Sequence, residues 1–483
     1  MQIVILAGIA LTLSLAQLRP LSDDLHLLVG AICLYLGMTA AITRLSGRIL
    51  IRGLKDHAEL PQGLARIRAA LAACTSLWVI FGSLALVAMG YAQWVMALLG
   101  ASVPLVPQLL ILSPFILALL LLWLGEYSAY VALRGRSLHR LAGRQPSAEC
   151  QANPPQAGVS MPASIWTLRQ YLANNLRHHL LFILVPVCII LLCTDLLMMH
   201  VAPAIEDWPH GEILIAVLLL ATAGSVFLLA PALIIHIWRT ISLPEGELRS
   251  QLEGICAMHR LRCRDIRLWQ TDDSIANAGV MGMIAPVRYV LLSDALLNHM
   301  ERHEIQAVFA HELGHVVYHH ILYSVLFAAG TMAWAIAVTD NMLASGLLPY
   351  DLAEIATLGL LAVTWGAVFG PLSRRFERQS DVNAAWMMGR MGYDAFPTGD
   401  SDPDRITAAG AAIFARSLER VAQISGIPHA QFNWRHGSIA RRVEYIIFLG
   451  STGGTRRTVN TQVRLIKAGL WVMLAAGIAL LLM

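Results

Sequence analysis

The sequence predicts an α-helical polytopic membrane protein that builds one α+β domain on a single side of the bilayer. Three observations lead there. Of 483 residues, 57% are hydrophobic and 14% charged, with a mean hydropathy of +0.61, too apolar for a water-soluble domain of this length. The apolar residues gather into nine runs. Of the stretches between and after them, only 239–320 and 371–462 are long and polar enough to fold as a domain.

The runs are Ile3 to Leu18, Leu27 to Ile42, Leu71 to Leu99, Leu109 to Ala132, Leu180 to Met199, Ile213 to Trp238, Ile321 to Val338, Leu352 to Gly370 and Ala468 to Met483. Several approach the roughly 20 residues that a bilayer requires of a helix, while the first, second and last are short. The first run lacks a basic start and a small-residue cleavage site, so it reads as an uncleaved anchor. The resulting plan is a membrane region with four apolar segments over 1–138, a flexible cytoplasmic linker over 139–177 and a transmembrane helix pair over 178–238. The domain in two parts follows, joined by a transmembrane hairpin over 321–370, and a last transmembrane helix occupies 463–483. The linker is assigned from the Pro, Ala, Gly and Ser of His139 to Thr167, and Phe396 to Pro403 reads as a second surface loop.

Arginines orient the plan. Arg44, Arg48, Arg52, Lys55, Arg66 and Arg68 follow the second run, and Arg134, Arg136, Arg140, Arg144, Arg169 and Arg177 follow the fourth. The alternate loops hold mainly Asp23, Asp24, Glu206, Asp207, Glu212 and Asp340. By the positive-inside rule the basic loops and both parts of the domain face the cytoplasm, and the expected location is the inner, or cell, membrane. The seven cysteines form no CxxC pair, and Cys256 and Cys263 read as reduced thiols. Nothing in the composition calls for a nucleic-acid partner; the expected partners are the lipid bilayer and protein or peptide substrates.

The first part of the domain reads as mixed α and β. Pro244 to Met258 has helix character, Asp265 to Trp269, Ala278 to Met283 and Tyr289 to Leu292 are strand candidates, and Ser293 or Asp294 caps the next helix. A helix from His303 to His320 contains His311-Glu312-Leu313-Gly314-His315. At about 3.6 residues per turn, His311 and His315 share a face and can bind one metal ion, while Glu312 stands beside it as a base for metal-bound water. Two imidazoles suit zinc, which in catalytic sites takes three protein ligands and keeps a place for water.

The third ligand is sought where the hairpin returns to the same membrane surface. There Ser373-Arg374-Arg375-Phe376-Glu377 precedes Asp381, and on a helix Glu377 and Asp381 share a face. Glu377 can then meet the two histidines. Asp381 can accept a hydrogen bond from a ligand imidazole and fix its tautomer. The bland alternative pairs Glu377 with Arg374 or Arg378 on a solvated face. His319 and His320, just before an apolar run, read as interface residues.

Taken together, His311-Glu312-x-x-His315, Ser373-Arg374-x-x-Glu377-x-x-x-Asp381 and Asn277-Ala278 ahead of Tyr289 to Leu297 resemble the HtpX and CAAX prenyl protease type of membrane zinc metallopeptidase, over roughly Leu243 to Leu449. The resemblance implies a gluzincin-type zinc peptidase domain with one zinc ion per subunit on His311, His315 and Glu377, Glu312 as catalytic base, and a site facing the cytoplasm. It also implies that His436 and Arg442 bind substrate or stabilise the oxyanion. Substrate would lie extended along a strand near Asn277 and Ala278. The sequence departs from the family at Gly437, where a proline is usual, and the four amino-terminal segments have no clear counterpart in HtpX-type enzymes. The expected reaction is hydrolysis of peptide bonds in membrane-associated or membrane proteins. An intramembrane protease of the site-2 type would instead take an aspartate from a distant apolar helix. A sensor with a regulated metalloprotease domain would need larger outer loops, and a transporter with a structural metal would have no use for Glu312.

Overall fold

The computed structural model describes residues 2–16, 24–55, 62–100, 103–142, 165–346, 349–391 and 402–482. Most of the expected linker, 143–164, and most of the expected loop at 396–403 lie outside the described residues. Eight helices are long and apolar enough to cross a membrane, and Ile5–Leu15 is a shorter apolar helix. The chain is thus a multi-pass membrane protein. Its residues group into two compact units, Met1–Gln145 with Ser164–Trp238, and Arg239–Met483 with Pro146–Ala163.

The first unit contains α1 (Gln2–Leu15), α2 (Leu25–Lys55), α3 (Gln62–Ala88), α4 (Tyr91–Leu99) and α5 (Val106–Ala142). It continues with α6 (Leu168–Asn175), a π turn over Leu176–Leu181, α7 (Phe182–His200), α8 (Ala202–Ile205) and α9 (Gly211–Ile237). The third expected run is two helices, because Gly90 takes φ 97° and breaks it before α4. Trp123, Phe115, Leu112 and Leu119 of α5 are fully buried with Ile5 and Ile9 of α1. Polar side chains join the helices as well: Tyr35 Oη donates to Val79 O at 2.7 Å and Trp78 Nε1 to Thr39 Oγ1 at 2.9 Å. Asp195 accepts from Leu105 N at 2.8 Å and Gln108 Nε2 at 3.1 Å, steadying the start of α5.

The second unit opens with β1 (Thr240–Ser242), α10 (Glu247–Met258), β2 (Asp265–Trp269), β3 (Ala278–Met281) and β4 (Tyr289–Ser293). The sheet order is β1-β2-β4-β3, with β2 and β4 parallel and the two outer pairs antiparallel. All five residues of β4 are buried, as a central strand covered on both faces must be. The sequence missed β1, whose three residues are too few to show alternation.

After the sheet come α11 (Asp294–His299), α12 (Arg302–Val317), α13 (His320–Ala344), α14 (Tyr350–Thr364), a π turn over Trp365–Phe369, and α15 (Gly370–Arg390). The chain ends with α16 (Ala408–Ser425), α17 (Ile439–Thr452) and α18 (Arg456–Leu481). One core joins the sheet to these helices through Leu268, Val290, Leu292, Phe309, Leu313, Phe376, Met388, Phe414 and Ile446. The apolar ends of α13 and α18 pack together, with Trp334 Nε1 donating to Met473 O at 2.9 Å.

Candidate metal centre

The site is built where α12 crosses α15. Helix α12 starts with a reciprocal cap in which the Glu304 side chain accepts from Glu301 N at 3.0 Å while the Glu301 side chain accepts from Glu304 N. Ile305, Phe309, Leu313 and Val316 bury one side of it. The two helices approach closely because residue 314 has no side chain: a Cβ there would lie 3.0 Å from Ser380 Cα. That approach brings Glu377 and Asp381 of α15, both buried, to the histidines.

His311 Nε2 and His315 Nε2 are 3.4 Å apart, and each lies 3.6 Å from one oxygen of Glu377. Among the described residues, these three are the cluster able to hold a metal ion, their ligand atoms all lying within 4.8 Å of one another. A tetrahedral ion with bonds of about 2.0–2.1 Å has ligand-to-ligand edges of about 3.3–3.4 Å. The edge between the two imidazoles matches that, the two 3.6 Å distances run to different oxygens of Glu377, and the donor set leaves a fourth position. The residues fit a metal of the zinc type.

Behind the triangle each imidazole meets a second group. His311 Nδ1 lies 2.9 Å from Asp381 Oδ1, although off the line of a well-aligned hydrogen bond. Burial alone would lower the His311 pKa, but the Asp381 carboxylate outweighs it and raises it. His315 differs: burial pulls its pKa down to about 4, so its ring is neutral at physiological pH, the form a metal needs.

His315 Nδ1 faces His320 Nδ1 at 3.0 Å, His320 Nε2 faces Gln379 Oε1 at 2.9 Å, and Gln379 Nε2 donates to Asn460 Oδ1 at 2.8 Å. With Gln379 oriented by Asn460, His320 donates from Nε2 and accepts at Nδ1. His315 must then carry its proton on Nδ1, leaving the Nε2 lone pair towards the triangle. His320, at the first residue of a candidate span, is therefore buried inside the site and stacked 4.4 Å from Phe376. Helical spacing hid it. The helix breaks at His319, which takes φ 54°, and the new helix brings residue 320 back under residue 315.

Glu312, half-buried, projects beside the cluster, and burial pushes its pKa up to about 7, with His311 opposing the rise. His436 Nδ1 lies 2.9 Å from Glu377 Oε1, with 45% of its side chain exposed. Gly437 takes φ +78°, which proline cannot adopt, so the departure from the family pattern is a different turn. Arg442 does not stand free to meet an oxyanion. Its guanidinium forks onto Asp381, Nε to Oδ2 at 2.9 Å and Nη2 to Oδ1 at 2.6 Å, with Glu377 Oε2 at 3.5 Å from Nη2. Burial works against its charge, but the Asp381 and Glu377 carboxylates outweigh burial and hold it charged. A buried carboxylate at 381 demands such a partner, and the fork geometry supplies it.

Ala278 begins β3, the outer strand of the sheet on that side, while Asn277 N donates to Ser293 Oγ at 3.0 Å and Ser293 N donates to Asn277 O at 3.0 Å. Both residues are thus held at the sheet edge, with Asn277 fixed by β4.

Residues 242–399 match the model of Peptidase family M48. The chain carries an M48 metallopeptidase domain. The chain is therefore a membrane-embedded hydrolase of peptide bonds. The crystal structure of S. mikatae Ste24p matches it with a TM-score of 0.50 at 15% identity, covering 89% of this chain and 100% of that one. At that identity the likeness concerns the fold, and it extends well beyond the second unit, which is about half of the chain. No curated protein matches the sequence. His436 and Arg442 lie beyond the matched family segment, so their placement rests on the structure.

Proposed function

We propose that the M48 protein is an integral-membrane zinc endopeptidase that cleaves membrane-associated or membrane proteins at the cytoplasmic face, with zinc held by His311, His315 and Glu377 and Glu312 as general base. The observation that carries this is the convergence of the two Nε2 atoms and the Glu377 carboxylate at edges of 3.4–3.6 Å beside a half-buried glutamate. Zinc, when bound there, acts as a Lewis acid that polarises the scissile carbonyl and makes water acidic enough to lose a proton near pH 7.

The chain's own residues do the rest. The Glu312 carboxylate accepts the proton of the attacking water as oxygen bonds to the carbonyl carbon, and returns it to the leaving nitrogen as the C–N bond breaks. A base whose pKa is about 7 is matched to that two-way transfer at neutral pH. His436, the most exposed polar group around the triangle, is the candidate to hydrogen-bond the carbonyl oxygen once Glu377 is engaged elsewhere. Arg442 and Asp381 position ligands. An extended substrate pairing with the outer edge of β3 at Ala278 accounts for binding without strict sequence demands. The cytoplasmic orientation is supported by the arginine distribution of the loops, as are the domain limits 239–320 and 371–462 by the two polar stretches they enclose.

The test is a pair of variants. Glu312→Gln should keep one zinc per chain and lose cleavage, whereas Glu377→Ala should lose metal and cleavage together. Full zinc stoichiometry in the Glu377 variant would contradict the ligand assignment. A reporter fused after Asp340 should report the outer side of the membrane.

A further inference from the structure

The turn between α16 and α17 carries a feature that the peptidase chemistry does not use. Residues 425–436 are all exposed, and among them Ile427, Phe432 and Trp434 expose 43%, 58% and 36% of their surface. The turn is held firmly in this form. Asn433 N donates to Gly437 O at 3.0 Å and Gly437 N to Asn433 O at 2.8 Å, while Asn433 Oδ1 accepts from Arg435 N at 2.9 Å and His436 N at 3.1 Å.

Its position is set by the membrane-crossing helix beside it. Trp434 Nε1 donates to Gly366 O at 3.0 Å, and its ring lies where a Cβ on residue 370 would come within 2.4 Å of Nε1. Arg435 sits 6.0 Å from the Phe369 ring, and Arg374 donates to Trp434 O at 2.7 Å while lying 5.5 Å from the Phe432 ring. Gly366 to Gly370 lie near the end of that apolar run, a few residues before Arg374, Arg375 and Arg378. The turn thus packs beside the end of a candidate membrane span, and tryptophan and arginine are favoured where hydrocarbon gives way to headgroups. Arg378 stacks 4.3 Å from Tyr445, one helical turn from Arg441 on α17. None of Arg374, Arg375, Arg378, Arg435 and Arg441 forms an ion pair among the described residues.

We propose that this turn and its flanking arginines form an interfacial site for anionic phospholipid headgroups, with Phe432 and Trp434 entering the leaflet and Arg374, Arg378 and Arg435 meeting the phosphate. Guanidinium groups bind phosphate oxygens in pairs, and uncompensated arginines at one depth attract an anionic surface. A peptide partner would be expected to sit in a groove facing away from the span. Here the apolar side chains are seated against it. Because His436 follows Arg435 in the same turn and reaches Glu377, a bound headgroup would also hold that imidazole in place. The lipid site itself does not depend on the peptidase assignment.

The test uses the full chain in nanodiscs of phosphatidylcholine with a minor share of phosphatidylglycerol, then extraction in mild detergent and mass spectrometry of the retained lipid. The natural protein should retain phosphatidylglycerol in excess over its share in the disc. The Phe432→Ser/Arg435→Gln double variant should lower that excess about fivefold, the effect of one basic residue at an anionic surface. Arg374→Gln, which removes one of the proposed phosphate partners, repeats the measurement with the same lowered excess expected should the double variant fail to reach the membrane. Three results would overturn the proposal: equal retention by natural and variant proteins, displacement of the lipid by inorganic phosphate at the same concentration, or unchanged lipid retention with a raised KM for peptide. The last would assign the turn to substrate.

Discussion

Replacing His320 by phenylalanine tests whether the metal centre depends on the hydrogen-bonded row behind His315. Phenylalanine keeps the ring volume and the stack on Phe376, which is 4.4 Å away and nearly parallel. It removes both hydrogen bonds of the row, at 3.0 Å and 2.9 Å, so the proton on His315 is no longer pinned to Nδ1. Outer partners of ligand histidines typically contribute a factor of about 10–100 in metal affinity, about 1.4–2.7 kcal/mol. The variant should therefore bind zinc one to two orders of magnitude more weakly in competition with a chromophoric chelator. Gln379→Leu, which removes the acceptor of the His320 proton and leaves both rings in place, should show a smaller loss. Unchanged zinc affinity in both variants would mean that His320 merely fills space.

Three further outcomes follow from the same geometry. Arg442→Gln leaves the buried Asp381 carboxylate without its forked partner, a change of the kind that costs about 3–5 kcal/mol, readable as a lowered Tm of the membrane-reconstituted protein. Gly314→Leu forces α12 and α15 apart at the 3.0 Å approach to Ser380, and should abolish metal binding measured by dialysis even where the chain still inserts. In metal-free protein the Glu312 pKa is raised from its ordinary value to about 7, so the folded state holds a proton that the unfolded state releases, and stability falls as pH rises between about 4.5 and 7. Subtracting the stability curve of Glu312→Gln should isolate that decline, at most about 3 kcal/mol above pH 7, from the opposite slope contributed by His315.

Much of the fold was legible because membrane helices and short strands leave direct marks. Apolar runs near the bilayer length become helices, and Asp265–Trp269 alternates and packs as a central strand. The break at Gly90 and the three-residue β1 left no such marks. At the site, spacing put His311 and His315 on one face and Glu377 and Asp381 on another, since four residues are about one helical turn. Spacing could not say that Arg442 would be drawn to Asp381, because that pairing joins positions 61 residues apart. Nor could it find His320, whose return beneath His315 depends on one left-handed residue between two helices.

By itself, the sequence determined that this chain crosses the membrane many times, that two imidazoles and a glutamate lie within about one turn of a helix, and that a pair of carboxylates follows a hairpin. Those are consequences of local periodicity and of the cost of polar groups in hydrocarbon. Only the tertiary structure decided which of the remaining polar side chains stand behind the two imidazoles and Glu377. That division is made by helix crossings and buried charge, which bring together groups with no relation along the chain.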